Sequence, residues 1–300
     1  MAGTKEIKTH IKSVQETKKI TNAMYLIAST KLQRARQELD NTRPYFEALR
    51  GEIKRIFRTV KTVDSRYFYP VGGSADQEGT YGCLVITADK GLAGAYNQNA
   101  IKQALELLDQ NPDTKLFVVG EYGRRFFASH GIPIEHSFLY TAQNPTMARA
   151  REISALLLDR FHRRELDKIF VVYTDMGGAM SYEARCTRVL PFHRTYFADP
   201  VHTERPSASV FEFFPDVQVV LDSMMPSYVS GFIYSALIDS FCCEQQARMT
   251  AMDSADQNAE KLLGELSLQY NRVRQAAITQ EITEVSAGAR AQRQKHRKEG

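Results

Sequence analysis

The chain has 300 residues, 43% hydrophobic and 25% charged, the make-up of one or two globular domains. Its net charge of +4 is local, because residues 290–300 hold five Lys or Arg against one acid while the rest balances at 34 of each sign. With no apolar run long enough to span a bilayer, no apolar leader among Lys5, Glu6, Lys8 and Lys12, and no CxxC spacing among its four cysteines, the sequence predicts a cytosolic chain without a transmembrane helix, zinc site or disulfide framework.

All ten prolines lie between Pro44 and Pro226, so both ends are free to form long helices. From the N-terminus, Ile7, Ile11, Val14, Lys18, Thr21, Tyr25, Ala28, Leu32, Ala35 and Leu39 alternate steps of four and three, a coiled-coil seam with small and polar occupants. Asn41 and Thr42 before Pro44 predict a kink or restart. The pattern resumes through Phe46, Leu49, Ile53, Ile56 and Val60, giving a first helical segment over 1–62. Gly72, Gly73 and Gly79 with Ser74 and Asp76 mark a boundary loop.

An α/β domain is predicted over 80–215. Its elements are a strand at Cys83–Thr87, a glycine-containing loop at Asp89–Gly94, a helix at 97–109, a strand at 115–119, a helix at 123–129 and a short strand near 134–139. A helix at 145–164 capped by Asn144 and a strand at 168–174 follow, an alternation that implies a parallel sheet covered by helices. Val189–Phe192 and Val210–Phe214 are expected as an antiparallel addition at one edge.

The C-terminal helix is predicted over 220–289, with Met252, Ala255, Ala259, Leu262, Leu266, Val273 and Ala276 as its seam and Gln269 as a break. Residues 290–300 are expected to be a disordered basic tail. About 60 helical residues reach ~90 Å, more than a core of their own can enclose. Both long helices meet the α/β domain at one end, so they must pair antiparallel. The longer one is then left with an overhang of about 20 residues, ~30 Å, without a partner in the chain.

Chemistry in the middle of the chain is sparse. The run from Asp89 to Gly94 lacks both G-x-G-x-x-G and a Gly-Lys-Ser/Thr ending, so a nucleotide loop competes with a tight turn whose glycines permit positive φ. No Ser-His-Asp set or metal-ligand spacing occurs, which argues against catalysis by this chain. Residues 1–36 carry eight Lys or Arg against Glu6 and Glu16, which suits either a solvated face or an acidic partner surface. A coiled-coil scaffold or nucleic-acid-associated protein with an α/β head stays open at this level, as does a nucleotide-dependent enzyme using the loop at Gly91. Nucleic acid is the weaker option, since no groove-reading motif is present.

Five stretches nonetheless carry a resemblance. They are Ile11-Lys-Ser-Val-Gln-Glu-Thr-Lys-Lys-Ile-Thr-Asn-Ala-Met24, Ala28 to Ala35, Ile86-Thr-Ala-Asp-Lys-Gly-Leu-Ala-Gly-Ala-Tyr-Asn97, Glu244 to Met252, and Leu268-Gln-Tyr-Asn-Arg-Val-Arg-Gln-Ala-Ala-Ile-Thr-Gln-Glu-Ile-Thr-Glu284. Together they resemble the gamma subunits of F-type ATP synthases, the last being the most specific. The resemblance implies the central rotor stalk, a non-catalytic subunit with a long antiparallel coiled coil and a Rossmann-like α/β domain. The coiled coil would stand inside a ring of three alpha and three beta subunits, and the α/β domain with the epsilon subunit would sit on the c ring of the membrane sector. ATP, ADP and Mg would be held by the alpha and beta subunits, with no cofactor or metal on this chain.

By the same resemblance Arg274, Gln275, Thr279 and Glu281 contact a beta subunit, Arg248 serves coupling, and Met24, Lys31, Arg34 and Lys90 lie near acidic lever segments of beta. Two departures stand out. Ser286 and the basic tail replace the usual short apolar end, and Ala93 stands where many relatives have a cysteine. The absence of a cysteine-bearing insertion points to a bacterial enzyme, which implies a peripheral subunit at the cytoplasmic face of the plasma membrane with proton or sodium as the coupling ion.

Overall fold

A computed structural model describes residues 2–59, 65–69, 79–139, 142–176, 182–193 and 213–296. The elements in chain order are α1 (Ala2–Thr59), β1 (Tyr81–Ile86), α2 (Tyr96–Gln110), β2 (Lys115–Val119), α3 (Glu121–Ser129), β3 (His136–Phe138), α4 (Met147–His162), β4 (Lys168–Met176), β5 (Tyr182–Leu190) and α5 (Val217–His296). They form two compact units, one of Ala28–Arg248 and one in which Met1–Ile27 and Met249–Gly300 come together.

The larger unit is built on a five-stranded sheet of order β3-β2-β1-β4-β5. Leu84 of β1 pairs in parallel with Phe117 of β2 and Val171 of β4, and β3 joins β2 in parallel, while β5 runs antiparallel to β4. Every residue of β1 is buried, as its unbroken apolar run requires when both faces of a sheet are covered. On one face Ala100, Ile101, Ala104 and Leu107 of α2 pack with Cys83, Val85, Leu116, Val118, Phe127 and Val172. On the other, α5 meets β4 through an edge-to-face contact of Phe232 with Tyr173, and meets α4 through Ser230 and Ser154, whose hydroxyls lie 2.6 Å apart.

The α1 and α5 helices run antiparallel here: Thr42 and Phe46 lie beside Tyr234, while Lys31 lies near Glu244. Gly231 is required at this crossing, since a Cβ on it would come within 2.1 Å of the Phe46 ring. Pro44 sits inside α1 and does not break it. The packing of Phe46 onto α5 outweighs the backbone hydrogen bond that the imide forgoes. The α5 helix starts at Val217, three residues before the expected 220, because the Asp216 carboxylate caps it by accepting from the amides of Gln218 and Val219 at 2.6 and 3.1 Å.

Several boundaries differ from expectation. The α4 cap is Thr146, whose hydroxyl accepts from the Arg149 amide, and not Asn144. The antiparallel edge is Tyr182–Leu190, of which only Val189 and Leu190 were anticipated. Glu183, Arg185 and Arg188 interrupt its apolar signal, as suits a strand half in solvent. Phe192 lies beyond β5, in an isolated bridge to Phe68. Phe214 is not in a strand but 93% exposed, and residues 210–212 of that expected segment lie outside the described residues, as does Val60.

In the smaller unit Thr21 of α1 and Met252, Ala259 and Leu266 of α5 are buried, and Lys18, the lysine in the apolar seam, reaches Asp256 at 3.7 Å and Glu260 at 3.4 Å. The inward positions of α5 run Met252, Ala255 with Asp256, Ala259, Leu263, Leu266, Tyr270, Val273 and Ala277. The expected seam therefore had alternate positions shifted by one residue: Leu262, Gln269 and Ala276 face outward, and Gln269 interrupts nothing. From Ile278 to Arg290 every residue is exposed. The helix passes the expected end at 289 and continues through His296; 297–300 lie outside the described residues.

Candidate functional site

The loop that follows β1 lies at the point where the sheet changes direction, with β2 on one side of β1 and β4 on the other. In open α/β sheets this crevice is where ligands bind. Here the chain's own groups fill it. Thr87 accepts from the Gly123 amide and donates to the Val119 carbonyl, and Asp89 Oδ1 accepts from the Glu121 amide at 2.9 Å, at the start of α3. Gly120, just before α3, has φ of +96° and passes so close to Thr87 that a Cβ would lie 2.2 Å from its carbonyl oxygen. The space above Ala88, Ala93 and Tyr96 is taken by Cys243 and Ala247 of α5. Of the two options open at the sequence level, the tight turn is the one built, and the turn is a seat for α5.

The seat is polar at its rim. Asn97 is 4% exposed, accepts from the Ala88 amide at 2.9 Å and donates to the Lys90 carbonyl at 3.4 Å. Arg248 donates from Nη2 to the Gly91 carbonyl at 3.1 Å and from Nη1 to Glu244, one helical turn back. Burial pushes the Glu244 carboxyl above the ordinary range, Arg248 and Lys31 pull it back, and the charge of Asp89 pushes with burial. Tyr96, fully enclosed, has its phenol raised by burial and then by Glu244. Leu92 at the tip has φ of 62°, uncommon for a side chain other than glycine, and is 65% exposed.

Lys31 and Lys90, which the resemblance grouped together, share one cluster with Arg248, which it assigned to coupling; Arg34 stands on the same unit with 83% of its side chain exposed, 3.3 Å from Glu38. Met24 is half-buried in the smaller unit, where Arg274, Gln275, Thr279 and Glu281 are exposed on α5, with the Thr279 hydroxyl donating to the Gln275 carbonyl. Glu244, Asn97, Asp89 and Tyr96 belong to the cluster but were not singled out from sequence. The signal was Glu244 four residues before Arg248 on a helix. Among the described residues no group of His, Cys, Asp and Glu is arranged to hold a metal ion, and no helix is long and apolar enough to cross a membrane.

Comparison with known proteins matches residues 3–292 to the ATP synthase family described as "ATP synthase". The ATP synthase gamma chain of Caldanaerobacter subterraneus subsp. tengcongensis is 41% identical over 296 residues, 96% of this chain and 99% of that one. The gamma chain of Acetobacterium woodii, described as sodium ion specific, is 35% identical, covering 95% of this chain and 97% of its own length. Among solved structures, a chain of the Euglena gracilis mitochondrial ATP synthase (OSCP/F1/c-ring) aligns with a TM-score of 0.65 at 18% identity, over 95% of this chain and 94% of that one. One from the central stalk/c-ring of the Tetrahymena thermophila enzyme aligns with a TM-score of 0.54 at 21% identity, over 79% of this chain and 99% of that one. By this near full-length match, and with the paired helices and mixed sheet it calls for, the chain belongs to the ATP synthase gamma-chain family, the central rotor stalk and a non-catalytic subunit of that complex.

Proposed function

We propose that this chain turns inside a ring of three alpha and three beta chains, driven by a c ring on which its α/β domain rests together with an epsilon chain. ATP, ADP and Mg bind to the alpha and beta chains. The complex lies at the cytoplasmic face of a bacterial plasma membrane, with this chain as a peripheral member. Proton or sodium flow turns the c ring, and rotation forces each beta chain in turn through open and closed states.

The observation that carries this is the exposed end of α5. From Ile278 to Arg290 every residue faces outward, and Ile278, Ile282 and Val285 are 43%, 62% and 73% exposed. An apolar stripe along a helix that nothing among the described residues covers belongs against another protein. Thr279 and Glu281 lie on that stretch and Arg274 and Gln275 immediately before it, the residues given a beta contact by resemblance. A rotating contact must also be shallow, because a deep preference for one angle becomes a barrier to leaving it.

The test is Arg274→Glu combined with Gln275→Ala in the assembled enzyme. Gradient-driven ATP synthesis in membrane vesicles should fall about tenfold or more while alpha, beta and this chain still co-purify in the ratio three to three to one. Synthesis at the parent rate in that double variant contradicts the assignment of these residues.

A further inference from the structure

Helices α1, α4 and α5 of the larger unit border a groove of about 620 Å³, the size of a small-molecule site. Its walls are Tyr45 and Phe46 of α1, Met147, Ala155 and Leu158 of α4, and Pro226 of α5. The two aromatic rings meet edge to face with centroids 5.1 Å apart, and Tyr45 keeps 61% of its surface in solvent. Deeper in the groove lie Ser154 and Ser230, 2% and 8% exposed, with their hydroxyls 2.6 Å apart. Their protons are taken up between themselves and by the Arg151 and Pro226 carbonyls at 3.0 and 2.8 Å. Thr42 is likewise engaged, on the carbonyls of Glu38 and Leu39. An occupant therefore finds its hydrogen-bonding partners at depth already used, and a polar body there would lose its water without compensation.

The mouth differs. Among the described residues Arg151 is the one charged side chain lining the groove, and it makes no ion pair. It is exposed, as are Asn41 and Ser227, which line the groove with it. We propose that the groove binds a single-headed amphiphilic anion, a fatty carboxylate, with its alkyl chain between α1 and α4 and its carboxylate on Arg151. The apolar walls favour burial of the chain. A guanidinium holds a carboxylate through two parallel hydrogen bonds, which fixes the end that faces out. Size decides against a partner helix: one laid along the three turns of α4 from Met147 to Leu158, about 16 Å long and 10 Å across, would need roughly twice the space present. A ligand seated here touches all three helices at once, so its binding stabilises their packing where α1 and α5 cross. The walls belong to this chain alone, and the inference does not depend on the rotor reading.

The experiment titrates the purified full-length chain with dodecanoate, below the concentration at which it forms micelles, and follows binding by calorimetry and by the thermal midpoint. Dodecanoate should bind at one site with a Kd of about 10 μM and raise the midpoint. Dodecanol should bind about tenfold more weakly, and acetate should give no signal. Arg151→Met should weaken dodecanoate about tenfold and leave dodecanol unchanged, whereas Arg151→Lys should weaken dodecanoate only about threefold. Ala155→Trp, at an exposed position on the wall, should abolish binding of both while the midpoint of the free chain stays as in the parent.

Equal affinity for dodecanoate and dodecanol, or an Arg151→Met chain that binds both as the parent does, would remove the head-group contact and overturn the inference. Binding that survives Ala155→Trp would do the same by placing the amphiphile elsewhere on the surface, as would absence of binding to the parent chain. Should Ala155→Trp release another chain from the complete enzyme, the groove is a protein contact and the inference falls as well.

Discussion

Asp239 shows how a single residue of α5 can set a pH dependence. Burial, reinforced by Asp175 and opposed by Arg43, raises its carboxyl from the ordinary 3.8 to about 6. The protonated form is thus favoured by folding. Below about pH 4 the group is neutral in both states, and as pH rises through about 6 the folded chain must ionise it at a cost on the order of 1–3 kcal/mol. Stability from this site is therefore present in acid and lost by neutrality. Asp239→Asn should raise the urea midpoint of the chain at pH 8 and leave it nearly unchanged at pH 4; an equal offset at both would show that the effect is packing and not charge. None of this was legible in the sequence, where Asp239 is one acid in a helix. Depth in the fold made it unusual, and a linear pattern does not report depth. Arg248, by contrast, was found through a motif, which does not say that its fork is spent on Glu244 and Gly91.

At the scale of elements, strand β2 was read to the residue and β1 and β4 to within two, because a fully buried strand is a short apolar run between turn residues. The edge strand β5 was mostly missed for the opposite reason: half of it faces solvent. Pro44 misled in a third way. Local preference marks it as a kink or restart, yet the packing of Phe46 against Gly231 carries the helix through. The α5 seam went wrong at alternate positions since Leu262 and Leu263 are adjacent and equally apolar. Composition cannot choose between them, and the pairing with α1 does. Leu263→Gln should loosen α5, speeding amide exchange from Ala259 to Tyr270 by about tenfold, whereas Leu262→Gln, at a position already 36% exposed, should change it by less than about twofold in the isolated chain. Equal effects at both positions would contradict the assigned seam.

For the whole molecule, the sequence alone indicated long paired helices around an α/β domain, and the family followed from terminal motifs whose match extends over residues 3–292. Periodicity could not show what the switch-point crevice of the sheet holds. In open α/β sheets that position ordinarily serves a ligand, but here α5 seats Cys243 and Ala247 over it and Asp89 accepts from the first amide of α3. The crevice serves here as a grip on a helix, with Arg248 of α5 donating to the Gly91 carbonyl. The direct measurement is single-molecule observation of this chain in a complex whose alpha and beta chains are fixed to a surface, with a bead on a cysteine introduced at the exposed Ser129. With ATP present the bead should turn in one direction in discrete steps and stop when ATP is removed. A bead that stays in place while the same complexes hydrolyse ATP at their full rate would contradict the claim that this chain is the shaft.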